Sequence, residues 1–468
     1  MMFPTTASHV IKFVSVGGSI AGLSAAYFLR QAGHNVIVLE KNHVDDFTDQ
    51  KCCGLRVPPN MSRVMKSVPG MEKLLREKAT KSRGILFREE GTSELIGKMV
   101  YEQEIMSDLG SDFYRIPYSD LWKHLYELCK SCNVEFKFGF EVEGIQVGIP
   151  DQPAIVSSTR GENIVCDIVL GCDGHRSFIR KMITQEDDSD SDDGLVIQSD
   201  ASEPRMFPEM DQWTTSRICV PIPQMLKDPQ LKKLADEDWW TMWLTDGTLF
   251  IGGNEGPDQY ALTLMCNYPR YGGKDMTWDD ASSTQLLSED ITKVKETDLQ
   301  KLLRIGASHH VFCQNPRNTL TRHNNDSNQI VVIGAAAQGA LLNGSHNSAM
   351  AFEDAMTLGY LFSHLNSPAA IPLLLNGFSE IRCAHTNMVK VSDENCIHLT
   401  SMPQGPHQQS RDAAFRQTLT VKEGEVDDIL AFVWAGFITQ FNYDAKEAAE
   451  EWWLNWMKMR PEEKAASR

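Results

Sequence analysis

The sequence has no excess of positive charge. Its 468 residues include 45 lysines and arginines against 63 aspartates and glutamates, which gives a net charge of -18. A chain this acidic repels the phosphate backbone of nucleic acids and offers no polybasic patch to an anionic membrane surface. We therefore expect no nucleic-acid partner.

Long apolar runs are also missing. No stretch approaches the ~20 consecutive apolar residues that cross a bilayer. The short apolar run at residues 10–16 leads directly into glycines, so it indicates a strand and not an export signal. We expect a cytoplasmic protein without a membrane span.

Cysteine is present without a metal-binding pattern. The 11 cysteines are scattered along the chain, and the pair formed by Cys129 and Cys132 has no second pair at the spacing of a zinc site. We expect free, buried thiols and predict no metal site.

A complete nucleotide-binding pattern stands near the start of the chain. Residues 11–40 read IKFVSVGGSIAGLSAAYFLRQAGHNVIVLE, which predicts a strand, a glycine turn, a helix and a second strand that ends at Glu40. Gly17 permits the tight turn, and the small Ser19 lets the backbone approach a pyrophosphate. Gly22 lets the helix pack closely on the strand.

The pattern predicts a site for the ADP half of a dinucleotide. The helix N-terminus supplies N–H groups and a positive dipole end for phosphate, and Glu40 can accept hydrogen bonds from ribose hydroxyls. The candidate residues are Gly17, Ser19, Ile20, Ala21, Gly22, Glu40 and Lys41. NAD and FAD share this pattern, so it does not distinguish them.

Three later segments favour FAD. They are GLRVPPNMSRVM at residues 54–65, DIVLGCDGHRSFIR at 167–180 and VVIGAAAQGALLNGSHNSAMAFEDA at 331–355. Together with the first pattern they resemble the class A flavoprotein monooxygenases of the salicylate and p-hydroxybenzoate hydroxylase type, and most of all the fungal branch that modifies natural products. The resemblance implies that Gly54 lies against the flavin, and that the Asp173 motif serves both FAD and the passage of NADPH.

The last of these segments departs from the family pattern after Gly334. Ala335 stands where the family has an aspartate that bonds the ribityl chain, and the loss of such a bond weakens FAD binding by roughly one to two powers of ten. Further departures are Gln338 for His, Leu342 for Pro, and Ser345, His346 and Asn347 for Gly-Gln-Gly. A helix that begins near Ser348 can still direct its N–H groups at the flavin. Tyr118 replaces a cofactor-contacting arginine.

The substrate side is predicted from aromatic residues in the middle of the chain. Trp239, Trp240, Met242 and Trp243 resemble the family sheet that covers the flavin, and at most half of them face one side of that sheet. The candidate pocket residues are Arg56, Trp243, His346 and Asn347. No residue is identified as an acid or base.

The fold class is predicted to be α/β. We expect a Rossmann-like, two-nucleotide FAD-binding domain in residues 1–194 and 321–370, interrupted by a mainly antiparallel substrate domain in 195–320. A helical C-terminal segment follows in 371–468.

The function predicted from these patterns is an FAD- and NADPH-dependent monooxygenase. Its substrate would be a hydrophobic small molecule such as an aromatic, polyketide or terpenoid compound. Two alternatives remain, a non-redox cyclase or isomerase with a structural or absent flavin, and a non-catalytic relative. The protein is expected to be a monomer or a homodimer.

Overall fold

The computed structural model describes residues 2–48, 54–89, 91–148, 152–184, 213–244, 248–266, 297–306, 308–314, 320–339, 341, 344–420 and 436–459. Within these residues it contains a parallel sheet with helices on its faces, a larger antiparallel sheet and a helical C-terminal region. The predicted α/β fold class is confirmed.

The five-stranded parallel sheet positions the nucleotide pattern. Its strands are β1 (Lys12–Val16), β2 (Asn35–Glu40), β8 (Glu135–Phe138), β12 (Ile168–Gly171) and β18 (Ile330–Val332). Their order is β18-β12-β1-β2-β8, with every neighbouring pair parallel. The carboxyl ends of β18, β12 and β1 therefore meet at one edge, which brings the loops after Val332, Gly171 and Val16 together.

Helices cover this sheet. They are α1 (Ile20–Gln31), α2 (Val44–Thr48), α3 (Pro59–Lys66), α4 (Met71–Lys78), α6 (Tyr118–Ser131) and α7 (Phe178–Thr184). Helix α1 is buried along nearly its whole length. It lies between the sheet and the C-terminal helices, and its small and apolar side chains pack against both. Two smaller sheets flank the layer. One has the order β3 (Gly54–Val57), β7 (Tyr114–Pro117), β4 (Thr80–Lys81), and the other β11 (Asn163–Cys166), β10 (Ala154–Ser158), β9 (Val142–Gln146).

The second large sheet has seven strands. Its order is β17 (Ser308–Gln314), β13 (Trp213–Pro221), β16 (Gln259–Cys266), β15 (Thr248–Asn254), β14 (Trp240–Leu244), β5 (Gly84–Glu89), β6 (Leu95–Val100). All neighbours are antiparallel except β14 and β5. Two strands of this sheet thus come from the stretch that sequence analysis assigned to the first part of the FAD-binding domain. Short helices α5 (Gln103–Asp108), α8 (Ile222–Met225), α9 (Pro229–Asp236) and α10 (Thr297–Ile305) accompany the sheet.

The C-terminal region is helical where it is described. After the short α11 (Ala335–Gln338) come α12 (Asn347–Phe362), the long α13 (Ile371–Thr400), α14 (Pro406–Gln417) and α15 (Ala445–Met459). Helix α12 is buried throughout and packs on α1, so it forms the back of the nucleotide-binding layer. In the part of the chain covered by the structure, no helix is both long and apolar enough to cross a membrane.

Candidate active site

The glycine loop after β1 has the geometry of a phosphate-binding turn. Gly17 has φ of 106°, and a Cβ atom there would collide with the Cys172 carbonyl group. A Cβ at Gly22 would collide with the carbonyl of Gly17. Ser19 precedes the first residue of α1 and makes no side-chain capping bond, so the first N–H groups of the helix have no cap from it and point toward the loop.

Glu40 is buried beside this loop. Its carboxylate accepts hydrogen bonds from the backbone N–H of Gly18 at 2.7 Å and of Asn42 at 2.8 Å. The indole Nε1 of Trp122 donates to the Gly18 carbonyl at 2.8 Å, which ties the loop to α6. The acid that was predicted to meet the ribose therefore lies directly against the phosphate loop.

A polar cavity of ≈ 290 Å³ opens next to Glu40. Its walls include Lys41, Asn42, His43, Gly139, Thr159 and Arg160. A polar cavity that adjoins the acid at the end of β2 is suited to the adenosine half of a dinucleotide. The residues present fit FAD at this end of the site.

Asp173 lies at the same edge of the sheet, after β12. One carboxylate oxygen accepts the Ile179 N–H at 3.3 Å, whereas the other, Oδ1, is buried and has no hydrogen-bond partner among the described residues. Burial raises the pKa of this carboxyl group. A buried acceptor without a partner is costly, so this oxygen fits a donor from a bound dinucleotide.

The loop after β18 is held from two sides. The guanidinium group of Arg180, at the end of the Asp173 motif, donates to the Ala337 carbonyl. The Gly334 N–H donates to the Asp354 carboxylate at 2.7 Å. The altered segment thus keeps a defined backbone although Ala335 stands in place of the aspartate of the family pattern.

Ala335 and Gln338 lie on the same side of the short helix α11. Ala336 and Ala337 pack into the core below, so residues three apart, such as 335 and 338, project to the other side. Both polar side-chain atoms of Gln338 are buried without a partner among the described residues. The carboxamide thus occupies the side from which Ala335 has lost a polar group, and its open hydrogen-bonding groups fit the cofactor.

These positions predict opposite effects for two substitutions. We expect Ala335→Asp to tighten FAD binding and Gln338→Leu to weaken it, each by roughly one power of ten, because one adds and the other removes a buried hydrogen-bonding group. Quenching of flavin fluorescence during titration of the apoprotein measures both. Thr357→Val is the control, since its hydroxyl is also buried without a partner in the described chain but lies in the middle of α12. An unchanged affinity in both site variants would show that α11 does not contact FAD.

The start of α12 contains three predicted residues. His346 is fully buried, stacks on Phe441 with 4.7 Å between ring centres, and has Nδ1 3.1 Å from the Gln440 amide nitrogen. Burial lowers the pKa of His346 to about 4, so the imidazole is neutral at physiological pH. Asn347 accepts the Leu341 N–H at 2.8 Å and thereby closes the loop before the helix. Ser348 is buried in the first turn of α12, and Leu342 lies outside the described residues.

Arg56 connects this loop to the second sheet. Its guanidinium group donates to the Ser345 hydroxyl at 3.0 Å and lies 4.6 Å from the centre of the Trp240 ring. Gly54, at the start of the same strand, lies so close to Glu255 that a Cβ atom would collide with its carboxylate. Tyr118 is half-buried at the start of α6 and packs against the core of the nucleotide-binding layer.

Trp243 is not brought together with the other pocket candidates. It belongs to the cluster of Phe250 and Leu262, on the sheet face that packs against α9 and α10. Trp240, Met242 and Leu244 belong to the opposite face. Alternation along β14 was predicted, but the tryptophan chosen as the pocket candidate, Trp243, lies on the face opposite to Trp240, the tryptophan that Arg56 contacts.

Two buried groups in this region were not identified from the sequence. Arg115 on β7 is 2% exposed, and Glu255, 4% exposed, forms an ion pair with Arg217. No local motif marks them, because Arg115 lies on β7 and Glu255 follows β15 of another sheet, so they meet only in the folded chain. Among the residues described, no group of three or more metal-binding side chains lies close enough to hold an ion, and burial raises the pKa of the Cys129 and Cys132 thiols.

Comparison with known proteins agrees with this geometry. Residues 11–217 match the model of the FAD binding domain family. FAD-dependent monooxygenase OpS4 from Beauveria bassiana is 22% identical over 418 residues, covering 86% of this chain and 88% of the relative. Asperlicin C monooxygenase from Petromyces alliaceus is 23% identical over 400 residues, which are 82% of this chain and 79% of the relative.

Solved structures share the fold. CtdE in complex with FAD and a substrate has a TM-score of 0.73 at 15% identity, covering 96% of this chain and 99% of that one. A salicylate hydroxylase substrate complex has a TM-score of 0.68 at 14% identity, with 94% and 97% covered. Fold and site together define a flavoprotein oxidoreductase. Residues 11–217 match the FAD binding domain family, and the chain resembles FAD-dependent monooxygenases over most of its length.

Proposed function

We propose that this protein uses FAD and NAD(P)H to transfer an oxygen atom from O₂ to a hydrophobic small molecule, such as an aromatic, polyketide or terpenoid compound. The observation that carries the proposal is the meeting of three loops at one edge of the parallel sheet, where buried polar atoms of Asp173 and Gln338 have no partner among the described residues. Such atoms fit a large polar cofactor. The oxygenation chemistry is that of the named relatives.

The residues of this chain would bind the cofactor, orient it and exclude water from the site. The Gly17 loop, the N-terminus of α1 and Glu40 would hold the ADP half, while the N-terminus of α12 would stabilise negative charge near the flavin ring. FAD held there would supply the redox chemistry that connects a nicotinamide reductant with O₂. The apolar sheet face of Trp240, Met242 and Ile251 excludes water from the reacting side.

A non-redox cyclase or isomerase remains the second candidate. Ala335 and Tyr118 replace the two polar contacts that the family pattern would give the cofactor, and these replacements favour a flavin that is held as a scaffold or not at all. The acidic net charge argues against a nucleic-acid partner in either case, and the proposal is of a cytoplasmic monomer or homodimer.

The visible spectrum of the purified protein distinguishes the two candidates. With FAD bound and oxygen excluded, we expect NADPH to bleach the flavin absorption, and a productive substrate to accelerate the bleaching. Dithionite serves as the control, since it reduces bound flavin without any nicotinamide. If dithionite bleaches the flavin while NADPH and NADH leave it oxidised with every substrate tried, the monooxygenase proposal fails and the non-redox candidate takes its place.

A further inference from the structure

Two arginines lie side by side against the apolar face of the second sheet. Arg56 on β3 and Arg115 on β7 are directly opposite partners in an antiparallel pair, so both side chains leave the same face. Their guanidinium carbons lie 4.6 and 5.8 Å from the centre of the Trp240 ring. Like charges in this arrangement repel each other, which makes the pair costly unless negative charge is nearby.

The guanidinium group of Arg115 is buried with one edge unused. Its Nη1 atom donates to the Trp239 carbonyl at 3.4 Å and lies over Gly253, where any Cβ atom would displace it. The Nε and Nη2 atoms are buried and have no hydrogen-bond partner among the described residues. These two atoms form the side-on edge of the guanidinium fork, and that edge matches the two oxygens of a carboxylate.

Among the described residues, the buried carboxylates near these arginines are fewer than the guanidinium groups. The charges of Arg56 and Arg217 act on each other, Arg115 lies opposite Arg56, and burial lowers the pKa of Arg56 and of Arg115 to about 10. Arg56 and Arg115 therefore both remain protonated at neutral pH. The buried carboxylates that act on Arg56 and Arg115 are Glu255, which is paired with Arg217, and Asp393, while Asp238 is exposed to solvent.

We propose that Arg115, assisted by Arg56, binds an anionic group of the substrate, namely a carboxylate or a delocalised phenolate or enolate on a flat apolar skeleton. The anion balances the buried positive charge and fills the open edge of the guanidinium group. The Trp240 ring and the apolar face of the sheet accommodate the rest of the molecule. This inference rests on the proposed function and narrows the class of its substrate.

The test compares two ligands that differ in charge. We would titrate the full-length, FAD-saturated protein with 2-naphthoate and with 2-naphthamide at neutral pH by calorimetry, without NADPH. Wild type is expected to bind the anion at least about tenfold more tightly than the amide, the worth of one charge-assisted contact. Arg115→Gln should abolish that preference, whereas affinity for the amide stays within about twofold.

Arg83→Gln is the matched control. Its guanidinium carbon lies 5.5 Å from the Trp239 ring, but the side chain is exposed, so we expect no change in either affinity. Arg115→Lys keeps the test informative if the glutamine variant does not fold, because lysine retains the positive charge but lacks the guanidinium fork. That variant should retain a weakened preference for the anion.

Three outcomes would overturn the inference. One is equal binding of both ligands by wild type, and another is an unchanged preference in Arg115→Gln. The third is a loss of FAD affinity in Arg115→Gln as large as the loss of naphthoate affinity, which would assign Arg115 to the cofactor. The titration is independent of reduction, so failure of NADPH to bleach the flavin would remove the proposed function while leaving an Arg115-dependent anion site in place.

Discussion

Gly22→Val is expected to abolish FAD binding in a protein that still folds. A Cβ atom at residue 22 collides with the backbone carbonyl of Gly17 and comes within 3.0 Å of the Ser15 hydroxyl. The carbonyl belongs to the phosphate loop itself, so relief of the collision has to move that loop or the start of α1. Flavin-fluorescence titration should show a loss of affinity of at least about a hundredfold, and the purified variant should be colourless.

Gly144→Val provides the matched control for this change. Gly144 lies on β9, and a Cβ atom there meets nothing within 4 Å. The control should retain wild-type FAD affinity, and circular dichroism should show both variants folded. Tight FAD binding by Gly22→Val would mean that the loop after β1 is not the phosphate site.

The part of the site that could be predicted is the part encoded by neighbouring residues. Gly17, Gly22 and Glu40 lie within one strand-turn-helix-strand unit, and the reason for each residue is the local backbone path. The parallel sheet then follows from buried strands that alternate with helices. The start of α12 at Asn347, one residue from the predicted Ser348, was found for the same reason.

Groups that meet only through tertiary packing could not be predicted. Arg115 faces Arg56 because β7 pairs with β3 in one register, and a shift of one residue would turn the side chain to the other face. The face of β14 that looks toward the site is set by its neighbours β5 and β15. Sequence alternation alone could not decide between Trp240 and Trp243, and the choice of Trp243 as the pocket candidate had no support from the strand pairing. The assignment of β5 and β6 to the second sheet could not be predicted either, because it depends on the pairing of β5 with β14.

The polar network behind the altered flavin segment is another such group. Arg382 on α13 donates to the Asp354 carboxylate at 2.6 Å and to the Glu353 carboxylate at 2.8 Å. Glu353 also accepts the Asn60 amide at 2.6 Å. Since Asp354 accepts the Gly334 N–H with its other oxygen, Arg382 connects both buried acids to the loop that contains Ala335.

Arg382→Met is expected to destabilise the protein by about 3–5 kcal/mol at neutral pH, because it leaves two carboxylates buried without their cation. Arg382, Glu353 and Asp354 are all 0% exposed, so solvent cannot replace the lost charge. Chemical denaturation, followed by circular dichroism, measures the change in the free energy of unfolding. The control is Arg322→Met, whose ion pair with Asp326 is exposed and should contribute less than ~1 kcal/mol.

The pH dependence of this deficit identifies the carboxylates as its cause. Burial raises the pKa of Glu353. The nearby charges of His385 and Arg382 outweigh this effect and lower the pKa from 4.5 to about 2. A lowered pKa in the folded state stabilises wild type above pH 4.5, and this contribution is lost as the pH falls toward 2. In Arg382→Met, burial acts without the compensating arginine, so the folded state holds its protons more tightly and the deficit should shrink in acid. A deficit that stays constant from pH 7 to pH 4 would instead point to lost packing of the arginine stem.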